Sequence, residues 1–483
     1  MQRIYIDSNT TNRMRTKDSP VYENLANTIS ANSHEFFTLY SSAHTDDLLN
    51  DITDEKFEDA KYIEQLTNNF MLEYNAVHKK LNLFIKSPVQ TLKEHEPTNF
   101  SFTNMFEGLG DTDSPVLKTL LKGLEDLFKT PAFDFKIDTT AIKNYENTYA
   151  KFIPFNEGRQ SLSDLFVHFQ ALNEELSNKD STLYKSTRKA NIDTLKFNDN
   201  QNLSTSKEID QVLIKSGLGK GIHEMIMQMG ASDQTVTWHD YFQRGFIFLN
   251  MLALDKEKNR KANFTSLNND SQHAYYSAHC DYLITEDKGL KFKAQVLFDI
   301  NNISTKILTP AEFTQYIELR QSVPILSKDE LIINLVKQMQ MLKPFSEFKS
   351  EKFDRVTYYY NLGFPFFDYF NELEYIVDND QGIFFVLLAK RSSFSVDLFY
   401  KEFELITNKI VEALGSDLEN KSYYTEQDRE ELQNNTWQGR LWNIGKVPAA
   451  LEINIGTKKI SFAIGPVIPE MPQELINVEK NNA

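Results

Sequence analysis

Residues 270–287 read DSQHAYYSAHCDYLITED, and the fold turns on this stretch. Asn268-Asn269-Asp270 has the composition of a helix cap, and Ser271–His279 is predicted to continue as the helix. Cys280–Thr285 (CDYLIT) reads as a compact strand, ended by Glu286-Asp287-Lys288-Gly289, with a further helix over Leu290–Phe298. Downstream, Lys306–Leu308 reads as another short strand, and Thr309-Pro310 opens the next helix. Upstream, Thr237–Leu254 carries Phe242, Phe246, Leu249 and Leu252 at helical spacing. Helix, strand, helix and strand in succession indicate an α/β sheet, whose strand ends present polar groups to ligands.

The other half of that pattern lies more than two hundred residues earlier. Arg3–Ile6 is a β-branched and aromatic run ending at Asp7-Ser8-Asn9. Asp18-Ser19-Pro20 opens a helix with Val21, Leu25 and Ile29 at four-residue intervals. Glu35–Tyr40 (EFFTLY) is a second predicted strand, and Ser41-Ser42-Ala43-His44 leads into a helix whose first turn holds Asp47. Between the halves, helical periodicity dominates: Phe57, Ala60, Ile63, Leu66 and Phe70 form one stripe, and Leu117, Leu120, Leu121, Leu124 and Leu127 another. Beyond Gln321 a separate α+β unit is expected, with a helix at Lys328–Met341, a strand at Ile383–Lys390, a helix at Ser395–Leu414 and a hairpin over Leu451–Ile464. The expected division is 1–52 and 237–320 for the split core, 53–236 for a mainly helical insertion, and 321–483 for the C-terminal domain.

Five acids stand at the strand and helix ends of the split core: Asp7, Asp47, Asp270, Asp281 and Asp287, with Thr285 two residues before the last. Ile4-Tyr5-Ile6-Asp7-Ser8-Asn9, Ser41-Ser42-Ala43-His44-Thr45-Asp46-Asp47-Leu48 and the 270–287 stretch together resemble the PIN-domain nucleases. That family has a strand ending in Asp, an acid on a later helix, an Asp heading a helix of small residues, and a strand leading to Thr-x-Asp. This chain departs from it in offering Asp46 and Asp47 where Glu is usual, in the extra Asp281, and in the 223 positions between Asp47 and Asp270. The resemblance covers 1–51 and 238–316. It implies a PIN-like parallel-sheet core and a metal-dependent ribonuclease, with Asp7, Asp47, Asp270, Asp281 and Asp287 around Mg²⁺ or Mn²⁺. It also implies an RNA substrate and a role in toxin action, defence or RNA processing. Clustered carboxylates repel one another unless a hard divalent cation offsets them, which is the physical reason for that expectation. Thr285 and Ser8 are then expected to position water or phosphate, and Asn9 to orient Asp7. The alternative is a non-catalytic interaction or regulatory protein on a degenerate PIN-like scaffold. A homo-oligomer or protein partner would dock through the insertion or the C-terminal domain.

Charge and composition narrow the field. The formal net charge of −16 opposes a protein that coats nucleic acid through a wide basic face. Lys256, Lys258, Arg260 and Lys261 before Asp270, and Lys288, Lys291 and Lys293 after Asp287, offer local contacts for a phosphate backbone or simply a solvated helix face. A single cysteine, Cys280, excludes an internal disulfide and reads as a core residue. No apolar run approaches the roughly 20 residues of a spanning helix, so a cytoplasmic protein without membrane contact is expected. His273 and His279 are six apart and share no helix face, which opposes a zinc site. Gly217-Leu218-Gly219-Lys220-Gly221 lacks the Ser or Thr of a phosphate loop and reads as a turn. Tyr358-Tyr359-Tyr360 and Phe364–Phe367 read as core or interface packing rather than base-stacking platforms.

Overall fold

In a computed structural model of the chain, the described residues are 2–94, 205–215, 219–228, 236–252, 264–322, 328–350, 354–380, 382–390, 396–454 and 459–465, with isolated positions between 168 and 203. The first unit runs β1 (Gln2–Ile6), α1 (Ser8–Thr16), α2 (Pro20–Ala31), β2 (Phe36–Ser41), α3 (Ser42–Asn50), α4 (Glu55–Thr67), β3 (Phe70–Asn75), β4 (Lys80–Ile85) and α5 (Pro88–Glu94). It resumes with α6 (Ser206–Leu213), α7 (Ile222–Gln228), α8 (Trp238–Met251), α9 (Phe264–Ser277), β5 (Tyr282–Ile284), α10 (Lys288–Ile300), β6 (Lys306–Leu308) and α11 (Pro310–Ser322).

The six strands form one sheet in the order β4-β3-β2-β1-β5-β6, parallel throughout except for the antiparallel β3–β4 hairpin at one edge. β1 and β2 are buried along their whole lengths because helices cover both faces, so they appear in the sequence as continuous apolar runs. The order reverses at β1: the chain adds β2 and β3 on one side, then β5 and β6 on the other. Such a switch point opens a crevice beyond the carboxyl ends of the strands it separates, here β1 and β5.

The mixed α/β class is as expected, but the boundary at residue 53 is not. The stripe of Phe57, Ala60, Ile63 and Leu66 does lie on a helix, α4, but Phe70 opens β3 instead of continuing it. Asn68 and Asn69 adopt left-handed φ values of 50° and 66° and turn the chain into the sheet. The split core therefore extends at least to Ile85. The leucine stripe at 117–127 lies outside the described residues, as do Lys256, Lys258, Arg260 and Lys261. No helix among the described residues is long and apolar enough to cross a membrane.

The second unit has α12 (Lys328–Met341), β7 (Ser346–Lys349), β8 (Arg355–Phe366), β9 (Phe370–Asp378), β10 (Ile383–Ala389), α13 (Val396–Leu414), α14 (Glu426–Gln433), β11 (Arg440–Ile444), β12 (Val447–Asn454) and β13 (Lys459–Ile464). Its seven strands form a second sheet, β11-β12-β13-β10-β9-β8-β7, in which every pairing is antiparallel. The tyrosine run and Phe366 belong to β8, where Tyr360 and Phe366 are buried in that unit's core.

Candidate active site at the carboxyl ends of the parallel strands

Asp7 follows β1 and caps α1. One carboxylate oxygen accepts from the Thr10 backbone N–H at 2.6 Å, and the other accepts from the Thr285 hydroxyl. Thr285 follows β5 and is fully buried; the same hydroxyl oxygen accepts from the Asp287 N–H at 3.0 Å. One threonine therefore links the carboxyl ends of both strands at the switch point. Asp287 caps α10 and accepts from the Leu290 N–H at 2.8 Å. Burial raises the Asp7 carboxyl above its ordinary range even though the hydrogen bonds from Thr285 and Thr10 favour its ionised form.

Asp47 approaches from α3, in the second turn rather than the first. Its two oxygens accept from Asn269 Nδ2 and from His273 Nε2, both at 2.9 Å. Burial opposes ionisation, yet the bond and charge of His273, aided by Ser8 and Asn269, hold the Asp47 carboxyl at about 2. His273 is 3% exposed. Burial would lower its pKa, but Asp47, Asp7 and Asp270 together raise it. Behind it, His273 Nδ1 lies 2.8 Å from the Tyr5 hydroxyl, which is 2.6 Å from Ser41 Oγ and 3.3 Å from His44 Nδ1. His44 donates through Nε2 to the Ile6 carbonyl at 2.7 Å. Burial, then the charge of His273, lowers the His44 pKa to about 3, so it stays neutral.

Asp270 lies within α9 rather than at its cap. The polar triplet Asn268-Asn269-Asp270 does not stop the helix because tertiary partners take up its side chains: Gln243 donates to Asn268, and Asn269 donates to Asp47. The Asp270 carboxylate accepts no hydrogen bond from the described residues. Burial, followed by the negative charge of Asp287, pushes its pKa up to about 8, while Lys293 and His273 pull it down. Lys293 is itself buried, its ammonium 4.9 Å from the centre of the Phe246 ring, so it is a counter-charge within the site and not a surface contact for phosphate. Lys291 pairs with Glu312 at 3.0 Å and Lys288 is exposed.

Four of the five predicted acids thus share one electrostatic neighbourhood, and Asp281 does not. It opens β5 opposite Arg3, at the other end of the sheet. There it accepts from the Arg3 N–H at 2.6 Å and from Lys390 Nζ at 2.8 Å. Asn9 is exposed, and the orienting of Asp7 expected of it falls to Thr10 and Thr285. His239 stacks on Tyr74 with ring centres 4.2 Å apart, and Cys280 is buried, so both are packing residues. Sequence reasoning missed His273, Asn269, Tyr5 and His44. The signal for the first two was the spacing of Asn269 and His273, one helical turn apart on one face.

A divalent ion is the test of this arrangement. Among the described residues, no three of the His, Cys, Asp and Glu side chains are grouped closely enough to enclose a metal. Mg²⁺ does not require such a cage: it usually keeps several waters and takes one or two carboxylates plus substrate phosphate. Asp270 and Asp287 suit that role, since they repel one another and Asp270 has no hydrogen-bond donor among the described residues to offset its charge. Each Asp47 oxygen accepts one hydrogen bond, from Asn269 or His273, and keeps a further lone pair. No protein-family model, curated protein or solved structure matches the chain.

Proposed function

We propose that the chain is a Mg²⁺- or Mn²⁺-dependent ribonuclease on a PIN-like core. The observation that carries this reading is the meeting of Asp7, Asp47, Asp270 and Asp287 at the β1/β5 switch point, with Asp270 raised to about 8 by burial and a neighbouring carboxylate. Asp270 and Asp287 would hold the ion, which when bound supplies an activated water and offsets charge developing on the phosphate. Thr285 holds Asp7 and Asp287 in fixed relation. His273 and Lys293 keep the carboxylate cluster from excess negative charge, and the Ser8 hydroxyl, 3.4 Å from His273 Nε2, stands beside the cluster. Lys288 and Lys291 remain as contacts for the phosphate backbone on an otherwise acidic chain.

The test is cleavage of labelled single-stranded RNA by the purified chain with Mn²⁺, with single-stranded DNA in parallel. Cleavage of RNA that disappears in Asp7→Asn/Asp287→Asn supports the reading. Cleavage that persists in that double variant overturns the site. A second reading, a non-catalytic interaction or regulatory protein on the same scaffold, is favoured by the hydrogen bonds from Asn269 and His273 that already tie both oxygens of Asp47. It predicts no cleavage under any divalent ion while RNA or a protein partner is still bound.

A further inference from the structure

Among the described residues, the two units do not share an apolar core. One buried cluster draws on residues 331–464, the other three on residues 4–317. Where the units meet, the contacts include buried charges. Arg3, in β1, donates to both oxygens of Glu402 on α13 at 2.9 and 3.0 Å. Lys390, just past β10, donates to Asp281 at 2.8 Å and lies 3.9 Å from Glu402. Two cations and two carboxylates thus form a charge-balanced quartet; Arg3, Lys390 and Glu402 have at most 3% side-chain exposure and Asp281 has 11%. A second, more exposed cluster lies nearby: Arg320 binds Glu35 and lies 3.0 Å from Asp368, while Lys409 donates to Glu35 at 3.0 Å.

The quartet fastens two particular strands. The Arg3 N–H donates to Asp281, joining the start of β1 to the start of β5, and these strands end at Asp7 and at Thr285–Asp287. A strand rises about 3.3 Å per residue, so the clamp and the acids are separated by roughly 13 Å of stiff backbone. We infer that the C-terminal unit is an intramolecular clamp for the acidic site, with Arg3, Asp281, Lys390 and Glu402 as positioning residues. A buried ion pair is a weak source of stability, since apolar side chains of the same size often stabilise as well or better, and in some proteins its use is to fix one arrangement of the parts it joins. A polar contact between separate cores also resembles the interfaces of domains that move relative to one another. Docking therefore fixes the carboxyl ends of β1 and β5, and undocking loosens them. The inference does not depend on the nuclease reading, because its test reads backbone exchange rather than cleavage.

The test is amide hydrogen exchange on the full chain, comparing wild type with Lys390→Met/Glu402→Met. This variant removes the C-terminal half of the quartet and leaves Arg3 and Asp281 to balance each other. The reporters are the Asp7 amide, bonded to the Ile284 carbonyl, and the Thr285 amide, bonded to the Leu308 carbonyl. The clamp predicts exchange at both amides faster by about tenfold or more, with the β11–β12 and β3–β4 hairpins unchanged. Wild-type rates at both reporters would overturn it. Should the double variant exchange globally, Glu402→Gln, which keeps the shape and removes one charge, is judged by the same two amides and the same controls.

Discussion

Replacing Asp270 by Asn should stabilise the protein at pH 8 and do so far less at pH 5. The group's pKa is about 8 in the fold against an ordinary 3.8, so the folded state binds the proton more tightly than the unfolded chain. A carboxyl raised in this way makes folding less favourable as pH rises from about 4 to about 8, the reverse of the usual carboxylate case. About three pK units of that interval lie between pH 5 and 8, which at about 1.36 kcal/mol each sets a ceiling of about 4 kcal/mol. Asp270 is only partly buried, so solvent screening reduces this; an advantage of about 1–2 kcal/mol for Asn at pH 8 over pH 5 is the expected outcome. In a melt with chelator present, that corresponds to roughly 2–8 °C in Tm. Adding Mn²⁺ at pH 8 should then stabilise the wild type by about 2.7 kcal/mol at a hundredfold excess over Kd, read as a higher Tm, and leave the variant nearly unmoved. A variant equally or more destabilised at pH 8 than at pH 5 would refute the claim that Asp270 is an electrostatic liability kept for ion binding.

Thr285→Val should cost about 1–3 kcal/mol, because the buried Asp7 carboxylate loses a donor, whereas Thr285→Ser should stay within about 1 kcal/mol of wild type; urea denaturation distinguishes them. His273 has its pKa raised by Asp47, so its contribution to stability is fully present below about pH 6.5 and is lost as pH rises through its folded value. His273→Gln should accordingly lose most at pH 5.5 and progressively less as pH rises, by the same denaturation assay. Gly245→Ala would place a Cβ 2.7 Å from Leu297 Cδ2 and 2.9 Å from Ile226 Cδ1, where α8 crosses its neighbours. Both are side-chain ends that can shift, so a loss of about 1 kcal/mol is expected in thermal melts.

Much of the core was legible because β1, β2 and β5 are short strands buried along their whole lengths, and such strands show as continuous apolar runs between polar ends. β3 was not, because Phe70 falls on the continuation of the α4 stripe; only the left-handed Asn68 and Asn69 break it. β8 went unread because aromatic runs suit strands, cores and interfaces alike. In the site, Asp7, Asp287 and Thr285 could be anticipated from their place after strands. Asp281 was grouped with Asp287 because it is near in sequence, yet a three-residue strand separates them onto opposite ends of the sheet. His273 was set aside as a zinc ligand, and its pairing with Asp47 needed the spatial meeting of α3 and α9, 226 positions apart in sequence.

The most direct test is an anomalous-scattering map from crystals of the full chain soaked in Mn²⁺ near pH 8. The account predicts an ion at the β1/β5 switch point in contact with the carboxylates of Asp270 and Asp287, with Asp47 still bound to His273. A map with no ion there, with residues 270 and 287 turned away from each other, would contradict it.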